Sequence, residues 1–302
     1  MLFPESNLLA QKWLFTVIAS SGRILYSNKS LSQWTDLTTG NKLFPGDSIK
    51  LETDSYLGLC YQNGRTIEVT KPGAYFVDNL AKKLVAENSS VTKRMTDYLI
   101  NEMIIKNKTK EMKNIAGVVR QNLTYIDKDF PASAVLVDSL VTFKWFPVRE
   151  VNTYVLEIQN PERKTIVLEQ TKDTSIQLNI EQLNFEPDNC YDWFVFSAED
   201  SSVSSDTSCI KVITKARYEE MQDSLKDILS DLRDTSESPL NQMILATFYE
   251  NNNMSLKALE HYQKAMQYSG QVEEYKKKYL LFLTKFGLFR RAQIMMQKWN
   301  IY

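Results

Sequence analysis

The C-terminal stretch echoes itself at a spacing of 34 residues, and that period restricts what it can fold into. Ala246, Tyr249, Ala258, Tyr262 and Ala265 lie in LATFYENNNMSLKALEHYQKAMQYSG, and Asn253 and Ala258 recur as Gly287 and Ala292 in FLTKFGLFRRAQIMMQKW. Small residues at these offsets let two antiparallel helices touch, and the aromatics fill the space beside them. Stacked helical hairpins present a surface and carry out no chemistry, so binding is the first expectation.

At 302 residues the chain has room for two or three domains, each with its own core. Its apolar content of 43% and charged content of 24% are those of an ordinary globular protein. A net charge of −1 gives no general electrostatic grip on nucleic acid. No apolar run approaches the ~18 residues that span a membrane. The N-terminus, MLFPESNLLAQKW, lacks a basic start and an apolar core, so the chain as written shows no export signal. Leu8, Leu9, Ala10 and Gln11 nonetheless resemble the tail of a bacterial signal peptide, which leaves export and a cytoplasmic location both open.

Three cysteines are too few for a disulfide-dense scaffold. Cys60 sits in an apolar stretch and reads as a buried, inert thiol. Cys190 and Cys209 fall in consecutive predicted strands joined by a polar loop over 199–206, and antiparallel pairing can bring them together as a disulfide. Such a bond implies an oxidising compartment.

Residues 13–80 read as short strands punctuated by turns at Gly22, Gly40, Gly46, Asn63-Gly64 and Gly73. Asn63-Gly64 lies between LGLCY and TIEV, which predicts a two-residue hairpin. The series Gly22, Ile24, Trp34, Leu37, Gly40, Leu43, Gly46, Asp47, Ile49, Gly64, Ile67 and Val69 resembles a FecR-type domain. That resemblance implies a small β module of bacterial envelope proteins, some of which relay signals.

In residues 81–130, Leu84, Val91, Met95, Tyr98, Leu99, Met103 and Ile104 recur at three and four, the pattern of an amphipathic helical linker region. Asn88-Ser89-Ser90 is expected to break it in two. Lys93, Arg94, Lys106, Lys108, Lys110 and Lys113 read as a solvated face.

Residues 131–215 alternate with period two in VTFKWFP, YVLEI, SIQLNI and CYDWFV, as an antiparallel sandwich requires. Phe185, Pro187, Tyr191, Trp193 and Val195, with Trp145 upstream, resemble a fibronectin type III domain. The resemblance implies that the Tyr191 hydroxyl ties back to the backbone and that Trp145 is buried. The 199–206 loop carries no Arg-Gly-Asp, so nothing points to integrin-style adhesion.

Residues 216–302 read as helical. Tyr218, Met221, Leu225, Ile228 and Leu232 stripe a connecting helix that packs on its neighbour, and Ser236-Glu-Ser-Pro239 starts the repeats. The 34-residue unit resembles a tetratricopeptide repeat, whose first helices bind peptides along a concave face. Those helices are expected over 240–251 and 273–285, which makes Gln242, Phe248, Tyr249, Lys276, Lys277 and Tyr279 candidate contacts for a protein or peptide partner. The run from Lys276 to Lys278 suits an acidic peptide or a carboxylate terminus. About three repeats are needed for stability and the sequence shows about two, so the ends must be covered. Leu288, Phe289, Met295, Met296, Trp299, Ile301 and Tyr302 form an apolar C-terminus without a polar cap. Phe289 and Trp299 are therefore candidate docking residues, with homo-oligomerisation through this end expected.

Catalytic and metal constellations fail on specific residues. His261 is the one histidine, which excludes histidine-based metal clusters and reads as a surface or interface residue. No phosphate-binding glycine loop or nucleophile elbow occurs, so no cofactor is expected. Asp47 reads as a turn residue, and Glu68 and Asp192 as outward-facing by alternation. The expectation is a multi-domain α+β chain: two all-β domains joined by helices, with a helical repeat at the end. Its expected role is a non-enzymatic scaffold of the bacterial cell envelope or periplasm that binds protein or peptide partners. A FecR-type signalling regulator and a carbohydrate-binding accessory protein are the alternatives.

Overall fold

A computed structural model of the chain describes residues 12–28, 33–84, 90–104, 125–232, 238–269 and 271–301. Residues 8–11, Asn88, Ser89, the basic residues of 106–113, Ser236, Glu237 and Tyr302, all singled out from sequence, lie outside that set.

The turn-punctuated N-terminal stretch forms eight strands: β1 Phe15–Ser21, β2 Ile24–Ser27, β3 Thr35–Asp36, β4 Lys42–Leu43, β5 Ser48–Leu51, β6 Tyr56–Tyr61, β7 Thr66–Val69 and β8 Gly73–Phe76. They pair as two four-stranded antiparallel sheets, β4-β1-β6-β7 and β3-β2-β5-β8. Phe15, Val17, Leu43, Ile49, Leu57 and Leu59 fill the space between them with no exposed area. The Gly46-Asp47 turn closes on itself: the Phe44 N–H donates to the Asp47 carboxylate at 2.8 Å, and the Gly46 N–H to Asp78 at 2.7 Å. The β6–β7 connection differs from the two-residue hairpin expected. The Tyr61 N–H donates to the Arg65 carbonyl at 2.7 Å and the Gly64 N–H to the Tyr61 carbonyl at 2.8 Å, which leaves Gln62, Asn63 and Gly64 in the loop. Gly64 takes φ +91°, the left-handed residue that ends a three-residue hairpin loop. Trp34 is exposed rather than part of the core.

Helix α1 (Val77–Ala81) and a 3-10 turn follow, then α2 (Ser90–Ile104). The alternating region folds into β9 Ser133–Leu136, β10 Leu140–Lys144, β11 Tyr154–Gln159, β12 Thr165–Thr171, β13 Ser175–Asn179, β14 Tyr191–Ser197 and β15 Ser208–Val212. A five-stranded sheet, β12-β11-β14-β15-β9, faces the β10-β13 pair; β9 alone pairs in parallel. Along β14, Tyr191, Trp193, Val195 and Ser197 point inward and the residues between them outward. Phe130, Phe143 and Trp193 pack as a triad with ring centres 4.9–5.0 Å apart. Trp145 is buried, and the Tyr191 hydroxyl accepts from the Glu186 N–H at 2.7 Å. That bond ties the strand back to the approach to β14.

The remainder is helical: α3 Lys215–Asp231, α4 Pro239–Asn251, α5 Ser255–Tyr268, α6 Glu273–Lys285 and α7 Phe289–Trp299. Ser238 caps α4 by accepting from the Asn241 N–H at 3.0 Å, and Pro239 occupies a position where no N–H is needed. The hairpin α4–α5 recurs as α6–α7, with both helix starts displaced by 34 residues, from Pro239 to Glu273 and from Ser255 to Phe289. The turn residues correspond too: Asn253 and Gly287 both adopt left-handed backbone, φ 58° and 73°. Helix α3 lays Met221, Leu225, Ile228 and Leu232 on the same core.

Candidate interaction surface

Repeated helical hairpins expose the face of their first helices unless something covers it. Here α2 covers it, packing against both α4 and α6 and against α3. Its inward stripe is Thr92, Thr96, Leu99 and Met103, all buried, at the four-three-four spacing of one helix face. The two threonines keep that stripe narrow, so the helices approach closely; Thr96 returns its hydroxyl to the Thr92 carbonyl, and Thr92 donates to Asp231 of α3 at 2.6 Å. Residues that read as linker thus belong to the core of the helical unit.

At the centre of this contact lies a buried charge cluster. Glu250 accepts from Lys278 at 3.0 Å, from Lys285 at 2.9 Å and from the Tyr262 hydroxyl at 2.6 Å. Glu102 of α2 adds a second carboxylate 3.6 Å from the Lys278 ammonium. Burial by itself would raise the Glu250 carboxyl, but Lys278, Tyr262 and Lys285 outweigh it and hold it below the usual glutamate value. Burial raises the Tyr262 hydroxyl far above its ordinary range, so it stays a donor. Sequence reasoning passed over Glu102 and Glu250, which no local pattern marks, and read Lys278 with Lys276 and Lys277 as a run for an acidic partner, whereas Lys278 is buried against Glu250 and Glu102.

The residues expected to touch a partner are placed otherwise. Gln242, Phe248, Tyr249, Lys276 and Tyr279 are buried within the chain, and Lys277, Phe289 and Trp299 are half-buried. The Gln242 amide oxygen accepts from the His261 Nδ1–H at 2.7 Å, and Tyr249 stacks on the same ring at 5.2 Å, so both face α5 rather than an open groove. Lys276 pairs with Glu273 at 2.7 Å and reaches toward Trp299 of α7, and Tyr279 packs beside Tyr262 and Trp299. The reason is phase. Gln242 and Lys276 are equivalent positions one repeat apart, and that position faces the second helix of the hairpin. The C-terminal apolar residues also fold inward in part: Leu288 and Met296 are buried, and Ile294 is the one strongly exposed apolar side chain of α7.

Both β units grip the helices. Glu68, read as outward-facing, instead accepts from the Tyr56 hydroxyl at 2.5 Å and from the Leu240 N–H at 2.9 Å. It therefore satisfies one of the open N–H groups at the start of α4, where a carboxylate is favoured. Tyr56 meets the Tyr275 hydroxyl of α6 at 2.8 Å, and Thr39 donates to Glu274 at 2.6 Å. Burial raises both phenols well above their ordinary value, with Tyr275 and Glu68 adding to the effect on Tyr56. At the opposite ends of the helices, the strand entering β9 takes the hairpin turns: the Ala132 N–H donates to the Phe286 carbonyl at 2.8 Å and the Val135 N–H to the Asn253 carbonyl at 3.1 Å. Ser255 donates to the Ser133 carbonyl at 2.7 Å, and Arg291 clasps Asp129 through two bonds at 2.7 and 2.5 Å.

The bare surface lies elsewhere. On the outer face of the five-stranded sheet, Leu168 sits opposite Glu157 and Glu157 opposite Phe194. Leu168 is 59% exposed and Ile166 40%. Cys190, just before β14, and Cys209, on β15, form a disulfide with Cα atoms 5.6 Å apart. Cys60 is buried, and its thiol is pushed up to about 12, first by desolvation and then by Asp97. Among the described residues no group of His, Cys, Asp and Glu could hold a metal ion, and no helix is long and apolar enough to cross a membrane.

No protein-family model matches the sequence, and no curated protein matches it significantly. Among solved structures, the chicken CNTN1 FN1–FN3 domains match at 11% identity and a TM-score of 0.22, covering 66% of this chain and 54% of that one. The chain thus spans about half the length of that neighbour, and a TM-score this low bears no weight on fold or function.

Proposed function

We propose that the chain is a non-enzymatic scaffold of the bacterial cell envelope, built from a FecR-like β module, a fibronectin III-like sandwich and a short tetratricopeptide-like unit. The observation that carries this reading is the filling of the shared α4–α6 face by the chain's own α2, with a β unit gripping each end of the helices. The helical repeat acts as the joint that holds two β units in fixed relation, and partner recognition belongs to the sandwich. The Cys190–Cys209 bond supports an oxidising, extracytoplasmic setting.

Cross-linking mass spectrometry on intact bacteria tests this. Exposed sandwich lysines, among them Lys144 and Lys211, are expected to link to other envelope proteins, and Lys276 and Lys278 to none. Partner cross-links through Lys276 or Lys278, or recovery of the chain in the cytosol alone, would contradict the reading.

One observation favours a second reading, a signalling regulator. Glu68 and Tyr56 connect the FecR-like module directly to the first residues of α4 and to α6, so a change of state in that module would act on the helices. Glu68→Gln would then alter signalling output while leaving partner capture by the sandwich unchanged.

A further inference from the structure

One stretch of chain, residues 127–138, carries the sandwich's grip on the helices. Besides the bonds of Asp129, Ala132, Ser133 and Val135, Asp127 pairs with Arg290 at 3.3 Å and Asp138 with Lys257 at 2.9 Å. β15 holds that stretch in the sheet. It runs parallel to β9, from Cys209 opposite Ser133 to Val212 opposite Leu136, and the Cys209 N–H donates to the Ala132 carbonyl at 3.1 Å. Upstream, the Lys128 ammonium donates to the Asp206 carbonyl and the Ser208 hydroxyl, and the Ile126 N–H to the Ser204 carbonyl at 3.0 Å.

On its other side β15 meets β14, and that seam is short. Its ladder runs from Tyr191 opposite Ile210 to Trp193 opposite Ser208, whereas β11 and β14 pair from Tyr154 opposite Ser197 to Gln159 opposite Asp192. Beyond Ser208 the register slips. The Ser205 N–H donates to the Val195 carbonyl at 2.8 Å, which sets Asp206 and Thr207 together against Phe194. The Cys190–Cys209 bond crosses this seam, and both cysteines are half-buried, within reach of a thiol in solution.

We propose that the Cys190–Cys209 bond is a redox-dependent clamp: closed, it fixes the gripping stretch to the body of the sandwich, and reduced, it lets the β14–β15 seam open. The proposal builds on the reading of the helical repeat as a joint. The reagent it requires is a dithiol. One thiolate of the dithiol attacks a sulfur of the bond, forms a mixed disulfide and releases the other cysteine as a thiolate, which takes up a proton. The dithiol's second thiolate then displaces the remaining cysteine, so the dithiol leaves as a disulfide and the chain keeps two thiols. Exchange with an oxidised dithiol runs the same steps backwards and closes the clamp. The cross-link joins residues 19 apart in sequence and restricts the open seam more than the closed one, so its loss favours local opening.

Hydrogen exchange on the intact chain, oxidised and after dithiothreitol without denaturant, tests this, with iodoacetamide labelling to locate free thiols. Dithiothreitol is expected to free Cys190 and Cys209 for labelling while the buried Cys60 stays unlabelled. In the reduced chain the seam amides of Tyr191, Trp193, Ser208 and Ile210 are expected to exchange about a hundredfold faster. The amides of Ala132 and Val135, bonded to the helical turns, and those of Leu156 and Ile244 are expected to keep their rates, because the gripping stretch stays on the helices. Cys190→Ser with Cys209→Ser is expected to match the reduced wild type, with no further effect of dithiothreitol. A bond that resists native reduction, equal seam exchange in the two states, or acceleration spread evenly over Leu156 and Ile244 would overturn the proposal. So would a double serine variant that exchanges like the oxidised chain. The α2 amides of the oxidised chain report on the joint and the oxidised–reduced difference at the seam reports on the clamp, so the two readings fail separately.

Discussion

His261 shows how far the surroundings of a residue depart from its sequence neighbourhood. Flanked by Glu260 and Tyr262 on an amphipathic helix, it read as a surface or interface group. In the structure it stacks on Tyr249 and shares a hydrogen bond with Gln242. Burial, reinforced by Lys264, lowers its pKa to about 4. Because the folded value lies below the ordinary one of about 6.5, the unfolded chain binds the proton first. His261 therefore costs no stability above about pH 6.5 and lowers it progressively as the pH falls from there toward 4. As the chain has one histidine, a proton NMR titration of its imidazole resolves a single curve, expected to have its midpoint near 4. A midpoint near 6.5 would mean the ring is solvated. Glu250 gives a second test at this scale. Removing its charge leaves the buried Lys278 with only the more distant Glu102 as counter-ion, so Glu250→Gln is expected to cost up to about 3–5 kcal/mol in urea unfolding. Lys285, half in water, should cost less than about 1 kcal/mol when changed to Ala.

At the scale of elements, periodicity was legible where one face is apolar and the other polar. The alternation in β14 and the 34-residue displacement of the hairpins were both readable, down to the equivalence of Asn253 and Gly287. What fills the groove was not. The buried stripe of α2 is Thr92, Thr96, Leu99 and Met103; hydropathy picks out Leu99 and Met103 but, in place of the threonines, Val91, Met95 and Tyr98, which are only partly buried. Two threonines hide the true face, because close helix approach needs small side chains more than apolar ones. The phase of α4 was hidden for the opposite reason: it is buried on all sides from Pro239 to Glu250, so no polar face marks its orientation. Leu99→Ala is expected to cost about 2–5 kcal/mol, the range for a fully buried leucine. The turn at Gly287 is a sharper probe. It takes φ +73°, and an added Cβ would stand 3.0 Å from the Ala132 Cβ. Gly287→Ala is expected to lower stability by about 1–2 kcal/mol. Ala132→Gly in the same chain should recover the part that comes from crowding against the sandwich. Equal losses in the single and double variants would show that the β9 approach does not rest on this turn.

For the whole molecule, the central question is what the helical repeat is for. A short repeat array with an open first-helix face would be a peptide receptor. One whose face is filled by its own α2, and whose two ends are gripped by β units, fits the joint proposed above. Sequence reading anticipated that so few repeats must be covered, but contacts such as Glu68 to Leu240 join residues 172 positions apart, and nothing local encodes them. The most direct measurement is hydrogen exchange on the intact protein, comparing amides of α2 with those of α4 and α6. If α2 fills the shared face, the amides of Thr96, Leu99 and Met103 exchange as slowly as those of Ile244 and Tyr279, and they do so without any added partner. If α2 exchanges well ahead of α4 and α6, its hold on the face is loose, the groove is available to a ligand, and the description of the repeat as a filled joint fails.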